Sequence, residues 1–570
     1  MADKRRFCII SGIRGGEKMD RRLFLGSAAA ILASSRVVHA RALRPLAAPF
    51  VEAGPIVETD TGKLRGFRKD EVHVFRGIPY AGALKPEHRF AEAPAPEPWT
   101  AVRGAYGYGP ICPSEDRIPG DDSAMEWPFL IQRGPITTAQ EDCLRINIWS
   151  RGLGDGRKRP VMLWLHAQGF GGGSSQHFLA NDGENLARTE DVVVASINHR
   201  VGVLGYADLS QVPGADENAG NVGMLDIIAA LRWIRRNIAV FGGDPDNVTI
   251  FGQSGGAFKV SVLMAMPEAQ GLFHKAIIQS GARAKVHSRE TGATLTAAFL
   301  KALEMPNADL SALRALPVER LIAAGRDAAR AVASASSPPP DYSPPPWFWQ
   351  PVAGVSSLPD QPFGEHAPKS SVGVPLIVGN TLHEFPRSVD APELEAMSWP
   401  QAEEALRRDL GDRTASVLGA IRQDHPGIAP IAAIAVASGR HFRMGAVRQC
   451  TLRAQSGAAP SWNYIFSWQT PVFEGRPRAF HGLDVPFVFA NTDLCDQATG
   501  GGERPRALAS VMTAAWARFA RTGDPNGKGL PHWPAFQPES PAAMIFDDTP
   551  RRVPDPDPAM RHALDAPSPS

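Results

Sequence analysis

Val248 to Gly256 reads VTIFGQSGG, a short β-branched and aromatic run followed at once by a serine set between glycines. The run suits a buried strand, and the segment after it, AFKVSVLMAM from Ala257 to Met266, suits a helix. A GxSxG alone is compatible with a plain glycine turn. Between a strand and a helix, the same five residues read as a nucleophile elbow. Gly252 and Gly256 permit a tight, strained turn that lifts the Ser254 hydroxyl out of the sheet and aims the Gly255 N–H at the same place.

The neighbouring chain repeats this alternation. VMLWL (Val161 to Leu165) and VVVASIN (Val192 to Asn198) are continuous apolar runs of the kind buried on both faces of a parallel sheet. MLDIIAALRWIRRNI, Met224 to Ile238, spaces apolar residues at three and four and predicts a helix ending at the turn FGGDPDN, Phe241 to Asn247. Strands alternating with helices predict an α/β protein with a mostly parallel central sheet flanked by helices. Length leaves one large α/β unit or several domains open, because 570 residues exceeds the usual domain size. Sixty Lys and Arg against 59 Asp and Glu give a net charge of +1, which calls for neither nucleic acid nor an anionic membrane as partner. No CxxC or HExxH spacing occurs, so no metal is expected.

The N-terminus reads as an address. Met19 is followed by DRRLFLG, the small and apolar SAAAILASS, and then VHA and ARA, each of which suits signal peptidase. Arg21 and Arg22 resemble a twin-arginine export signal. Residues 1–40 are therefore expected to be an extension and signal, with Met1 and Met19 both open as the start, and the protein is expected to be exported, periplasmic or secreted. The segment is too short and too flanked by Arg to span a membrane. Removing the signal takes Cys8 with it and leaves four cysteines, Cys112, Cys143, Cys450 and Cys495, open to two disulfides or to buried thiols. Residues 551–570, rich in Pro and Asp and ending APSPS, read as a flexible tail.

FGGDPDNVTIFGQSGG, Phe241 to Gly256, resembles the nucleophile motif of the type-B carboxylesterases and cholinesterases. EDCLRINIW at Glu141 resembles the family's second motif, departing at Arg145. FRGIPYA near Phe75, NHRVGVLGY near Asn198, KAIIQSGA near Lys275 and WARFARTGDPN near Trp516 extend the likeness over roughly Val57 to Phe546. The resemblance implies one α/β-hydrolase domain, residues 41–550, with large loop insertions and a Cys112–Cys143 bridge. It also implies a triad. A serine hydroxyl is a poor nucleophile without a base, and the base needs an orienting carboxylate. By the family's order the acid is Glu384 in VPLIVGNTLHEF, and the base is His481 in AFHGLDVPFVF. His383 and Phe385 stand where the family usually has Asp and Gly. Ser280 matches a serine that supports the acid, while His166, His199 and His274 read as turn or surface residues.

HAQGF, His166 to Phe170, stands where the family usually reads HGGGF. The oxyanion donors implied are the N–H groups of Gln168, Gly169 and Gly255. A left-handed backbone at Gln168 would be strained, since that region favours glycine. The expectation is that the hole survives, narrowed by the Gln168 side chain. The implied activity is hydrolysis of a small-molecule carboxylic ester through an acyl-enzyme, by a monomer or homodimer, without cofactor. Two rivals stand beside it: an amide or carbamate hydrolase with the same triad, and a binding module that kept the fold but lost catalysis. The aromatic clusters in Glu126 to Leu130 and in Ala333 to Pro351 could line an acyl or alcohol pocket or simply pack.

Overall fold

Thirteen strands form one sheet in the computed structural model, which describes residues 51–114, 138–336 and 345–565. The strands are β1 Val51–Glu58, β2 Lys63–Lys69, β3 Val72–Pro79, β4 Arg103–Gly104, β5 Arg145–Ser150, β6 Arg159–Leu165 and β7 Val193–Ile197, then β8 Gly243–Gln253, β9 Lys275–Gln279, β10 Leu376–Thr381, β11 Ser461–Phe466, β12 Ala543–Phe546 and β13 Arg551–Val553. Their order is β1-β2-β3-β5-β7-β6-β8-β9-β10-β11-β12-β13, with β4 on β2. From β7 to β12 every pair is parallel, and the two edges are antiparallel. The fold is that of the α/β hydrolases, as the motifs imply.

The continuous apolar runs follow from burial on both faces. Along β6, Val161, Leu163 and Leu165 enter one core while Met162 and Trp164 enter the other. β9 divides the same way, Ala276 and Ile278 against Ile277. Each such side chain is worth about 1.5–3 kcal/mol when fully withdrawn from water, so strands that are apolar at every position are stable only in the middle of this sheet. Helix α1, Val222–Asn237, covers the first core with Ile227, Ile228, Leu231 and Ile234. The turn expected at FGGDPDN is confined to Gly242, which is left-handed at φ 81°. Beyond it the chain already runs as β8, where a bulge between the Arg159–Gly243 and Val161–Val248 pairs absorbs Pro245.

One expectation is corrected. The segment from Arg551 is built into the fold as far as Asp565 and is not a mobile tail there. β13 pairs with β12, and helix α4, Pro558–Asp565, buries Met560 and Leu564 in a third core. Asp557 pairs with Arg443 at 2.7 Å with both side chains buried, and the Asp424 carboxylate accepts the N–H groups of Ala559 and Met560 at that helix's start. Among the described residues Cys112, Cys143 and Cys450 are thiols, so the implied Cys112–Cys143 bridge is absent from this structure. The neighbouring Cys112 thiol, together with burial, pushes the Cys143 thiol well up. Cys450 and Cys495 lie in different cores, with the sheet between them, so they do not pair. Residues 1–50 and Glu126 to Leu130 fall outside the described residues. Among the described residues no helix is long and apolar enough to cross a membrane.

Candidate active site

Ser254 sits between β8 and helix α2, Gly255–Leu263, at φ 54° and ψ −120°, a conformation a serine adopts only under constraint. The constraint is visible in its neighbours. Its N–H donates to Gln279 O on β9 at 2.8 Å, and its carbonyl accepts the Phe258 N–H at 2.9 Å. A Cβ on Gly256 would lie 2.0 Å from Leu165 O, and one on Gly252 would lie 2.6 Å from the Gly256 carbonyl carbon. Only glycines allow the helix to begin this close to β6. A Cβ on Gly255 would fall 2.1 Å from the Gly169 nitrogen, so the elbow and the HAQGF loop are in backbone contact.

The acid and base stand in loops that follow two other strands, β10 and β11. Glu384 follows β10 and is fully buried, and its Oε2 lies 2.5 Å from His481 Nδ1. Its Oε1 accepts from Ser280 Oγ at 2.8 Å and from the Thr381 N–H at 3.0 Å. The His481 N–H donates to Glu384 O at 3.0 Å, which ties the two loops together by their backbones as well. Gln253 Nε2 lies 3.1 Å from His481 Nε2. A carboxamide nitrogen can only donate there, which puts the imidazole proton on Nδ1 and leaves Nε2 as the basic atom. Among the described residues Ser254 Oγ makes no hydrogen bond. Catalytic contacts of this kind commonly tighten only with substrate bound.

The departures at His383 and Phe385 now have places. His383 turns inward, and burial, with the Arg478 and His425 charges, pushes its imidazole down to about 3. Phe385 packs on the His481 ring at 5.2 Å, and Phe442, from helix α3 Arg440–Gln455, stacks on the same ring at 5.3 Å. His166 and His199 are not surface residues: they are buried and stacked at 4.6 Å beneath the HAQGF loop. His274 is half-buried, and its Nδ1 accepts the Val248 N–H at 3.1 Å. Trp349 packs on Phe299 and donates to Gly325 O, which makes it part of the supporting core.

In the HAQGF loop Gln168 is left-handed at φ 70° and Gly169 at φ 59°. The carbonyls along it are all tied down: Ala167 O lies 3.0 Å from His166 Nδ1, Gln168 O accepts from Gly172, and Phe170 O accepts from Gly202. The carbonyls of His166 and Gly169 accept from Lys259 Nζ at 3.0 and 2.7 Å. No acceptor among the described residues takes the N–H of Gln168, Gly169 or Gly255. These three donors, two of them in direct backbone contact, can hold an oxygen on which negative charge develops. The Gln168 side chain folds back over its own loop. Its amide oxygen is buried against Gly173, without a hydrogen-bond partner among the described residues.

Sequence reasoning missed several members of the site. Asp484 lies three residues beyond His481, fully buried, and accepts from Gln279 Nε2 at 2.9 Å and Tyr464 Oη at 2.8 Å. Burial, reinforced by the Glu384 charge, pushes its carboxyl up to about 6. Its place in the GLDVPF stretch was a usable signal. Lys259, Gln253 and Phe442 carried none, because each acquires its partner only through tertiary contact.

Comparison with known proteins gives the same picture from outside. The sequence model described as the carboxylesterase family matches residues 53–564. The chain is similar to the para-nitrobenzyl esterase of Bacillus subtilis, 33% identical over 517 residues that cover 89% of this chain and 98% of that protein. It is similar also to the phenmedipham hydrolase of Pseudarthrobacter oxydans, 34% identical over 507 residues, 87% of this chain and 95% of that one. Among solved structures it matches an esterase from Clostridium hathewayi described as hydrolysing aliphatic aromatic polyesters, with a TM-score of 0.72 and 33% identity, covering 90% of this chain and 97% of that one.

Proposed function

The chain belongs to the carboxylesterase family and is a serine ester hydrolase, and from that premise we propose that Ser254, His481 and Glu384 carry out the reaction through an acyl-enzyme. His481 Nε2 takes the Ser254 proton as Oγ attacks the ester carbonyl, and the Glu384 carboxylate stabilises the imidazolium that forms. The carbonyl oxygen becomes an oxyanion held by the N–H groups of Gln168, Gly169 and Gly255. His481 then protonates the departing alcohol, leaving the acyl group on Oγ. In the second half His481 deprotonates a water, which attacks the acyl carbonyl and releases the acid and Ser254.

The observation that carries this reading is the 2.5 Å Glu384–His481 contact, with the imidazole proton directed to the carboxylate by Gln253 on the other nitrogen. The test is hydrolysis of short p-nitrophenyl esters by the purified protein. Turnover is expected, with loss of at least about 10³-fold in Ser254→Ala. Equal turnover in that variant would refute the assignment. An intact set of nucleophile, base and acid weighs against the binding-module rival.

We further propose that the protein is exported, with Arg21 and Arg22 in the signal, and that Cys112 and Cys143 join in the oxidising compartment. Both thiols are buried, and Cys112 is near enough to raise the Cys143 thiol, which supports the pairing. Thiol counting on denatured, unreduced protein from the cell envelope is expected to find two free thiols in the mature chain, and four would contradict the bridge.

A further inference from the structure

Lys259 stands in the first turns of helix α2, five residues after Ser254, and is fully buried. A buried ammonium ordinarily requires a carboxylate, yet Lys259 has none among its described partners. Its hydrogen bonds go to two backbone carbonyls, His166 O at 3.0 Å and Gly169 O at 2.7 Å, and the Phe170 ring lies 5.7 Å from Nζ. Nearby titratable groups are also basic, since its charge contributes to holding the buried His166 and His199 imidazoles well down. Placing a cation at the positive end of a helix, without a counter-ion, is unfavourable in folding terms.

What the placement secures is the segment between the two carbonyls. His166 O and Gly169 O bracket Ala167 and Gln168, the two residues that stand where glycines would be most comfortable. Gln168 is held at φ 70°, outside the range a glutamine prefers. The two donor peptides, Ala167–Gln168 and Gln168–Gly169, lie between the two peptides whose carbonyls Lys259 holds. Relaxation of Gln168 toward a negative φ that displaced either end of this segment would break a Lys259 bond. Lys259 grows from the same helix whose first N–H, that of Gly255, is the third donor, so one rigid element fixes all three.

We propose that Lys259 is a positioning residue that clamps the oxyanion loop, holding the Gln168 and Gly169 N–H groups in the donor conformation that glycine would otherwise reach unaided. The inference rests on the oxyanion role given above to those N–H groups. Burial lowers the ammonium to about 7, but a neutral amine still carries two hydrogens for two carbonyls, so the clamp does not depend on protonation.

The test is a double-mutant cycle in steady-state ester hydrolysis, with Lys259→Met, Gln168→Gly and the pair, read beside Ser254→Ala. Lys259→Met is expected to lower kcat by about 10²-fold with KM little changed, as when an oxyanion donor is lost. In the Gln168→Gly background the same change is expected to cost under about 10-fold, because glycine relieves the strain the clamp opposes. Binding of a trifluoromethyl ketone, whose adduct carries the oxyanion, is expected to weaken in parallel with kcat. If Lys259→Met does not fold, Lys259→Gln, which retains one donor, serves in its place. A folded variant with unchanged kcat, or an equal loss in both backgrounds, overturns the clamp. Failure of the underlying esterase reading is separate: it would show as activity surviving in Ser254→Ala.

Discussion

The two halves of this site are held in different ways. Around Glu384 and His481 the restraint is side-chain chemistry: one carboxylate receives the imidazole, a serine hydroxyl and a backbone N–H, and Asp484 below is bonded to Gln279 and Tyr464. Around Gln168 and Gly169 the restraint is backbone conformation, with every carbonyl tied inward and two of them tied by one lysine. The first half is specified by which residues are present. The second is specified by which way its peptides face, so residue identity there is looser and a glutamine can stand in a glycine's place.

This contrast can be broken at three levels. The largest effect is expected in the acid half. Glu384→Gln leaves the shape but removes the charge and the acceptor for Nδ1–H, and kcat should fall by about 10³- to 10⁴-fold without a comparable rise in KM. A loss under about 10-fold in steady-state kinetics would mean the carboxylate does not orient the base. Exchange in the oxyanion half should be far milder. Gln168→Gly is expected to leave kcat within about 3-fold, because a glycine donates the same N–H and reaches the same φ more easily. Its stability should shift by no more than about 1 kcal/mol in chemical denaturation, strain relief opposing the entropy of a freer unfolded chain. A large loss of activity would give the side chain a role in the substrate site.

The smallest effects separate the halves by pH. Asp484 sits at about 6 in the folded chain against an ordinary 3.8, so between these values the folded state holds the proton more tightly and stability falls as pH rises. Lys259 sits at about 7 against an ordinary 10.5, so between those values the unfolded state holds the extra proton and stability rises with pH. Asp484→Asn should remove the first slope and Lys259→Met the second, each seen as the difference between variant and parent in denaturation midpoints across pH. Two parallel difference curves would show that neither group titrates as the fold dictates.

The same contrast explains what could be read from the sequence. Ser254, His481 and Glu384 lie in motifs whose chemistry demands those side chains, and the parallel sheet followed from its continuous apolar strands. Lys259 looked like one polar residue on an apolar helix, and nothing near it in sequence pointed to carbonyls about 90 residues away. The composition after Arg551 argued for mobility, but Asp557 finds Arg443 and Leu564 finds a core, contacts that composition does not encode. At Gln168 the sequence raised the right question about φ, and only coordinates could show which way its amide turned.

Lacking glycine at 168, this loop presents three N–H groups to one oxygen. A crystal structure of the enzyme trapped with a fluorophosphonate tests it most directly. Phosphorus is expected on Ser254 Oγ, with a phosphoryl oxygen about 2.7–3.1 Å from the nitrogens of Gln168, Gly169 and Gly255. An adduct on Ser254 whose oxygen meets only Gly255, with the Ala167 or Gln168 carbonyl turned toward it, would show that the loop supplies no oxyanion donors.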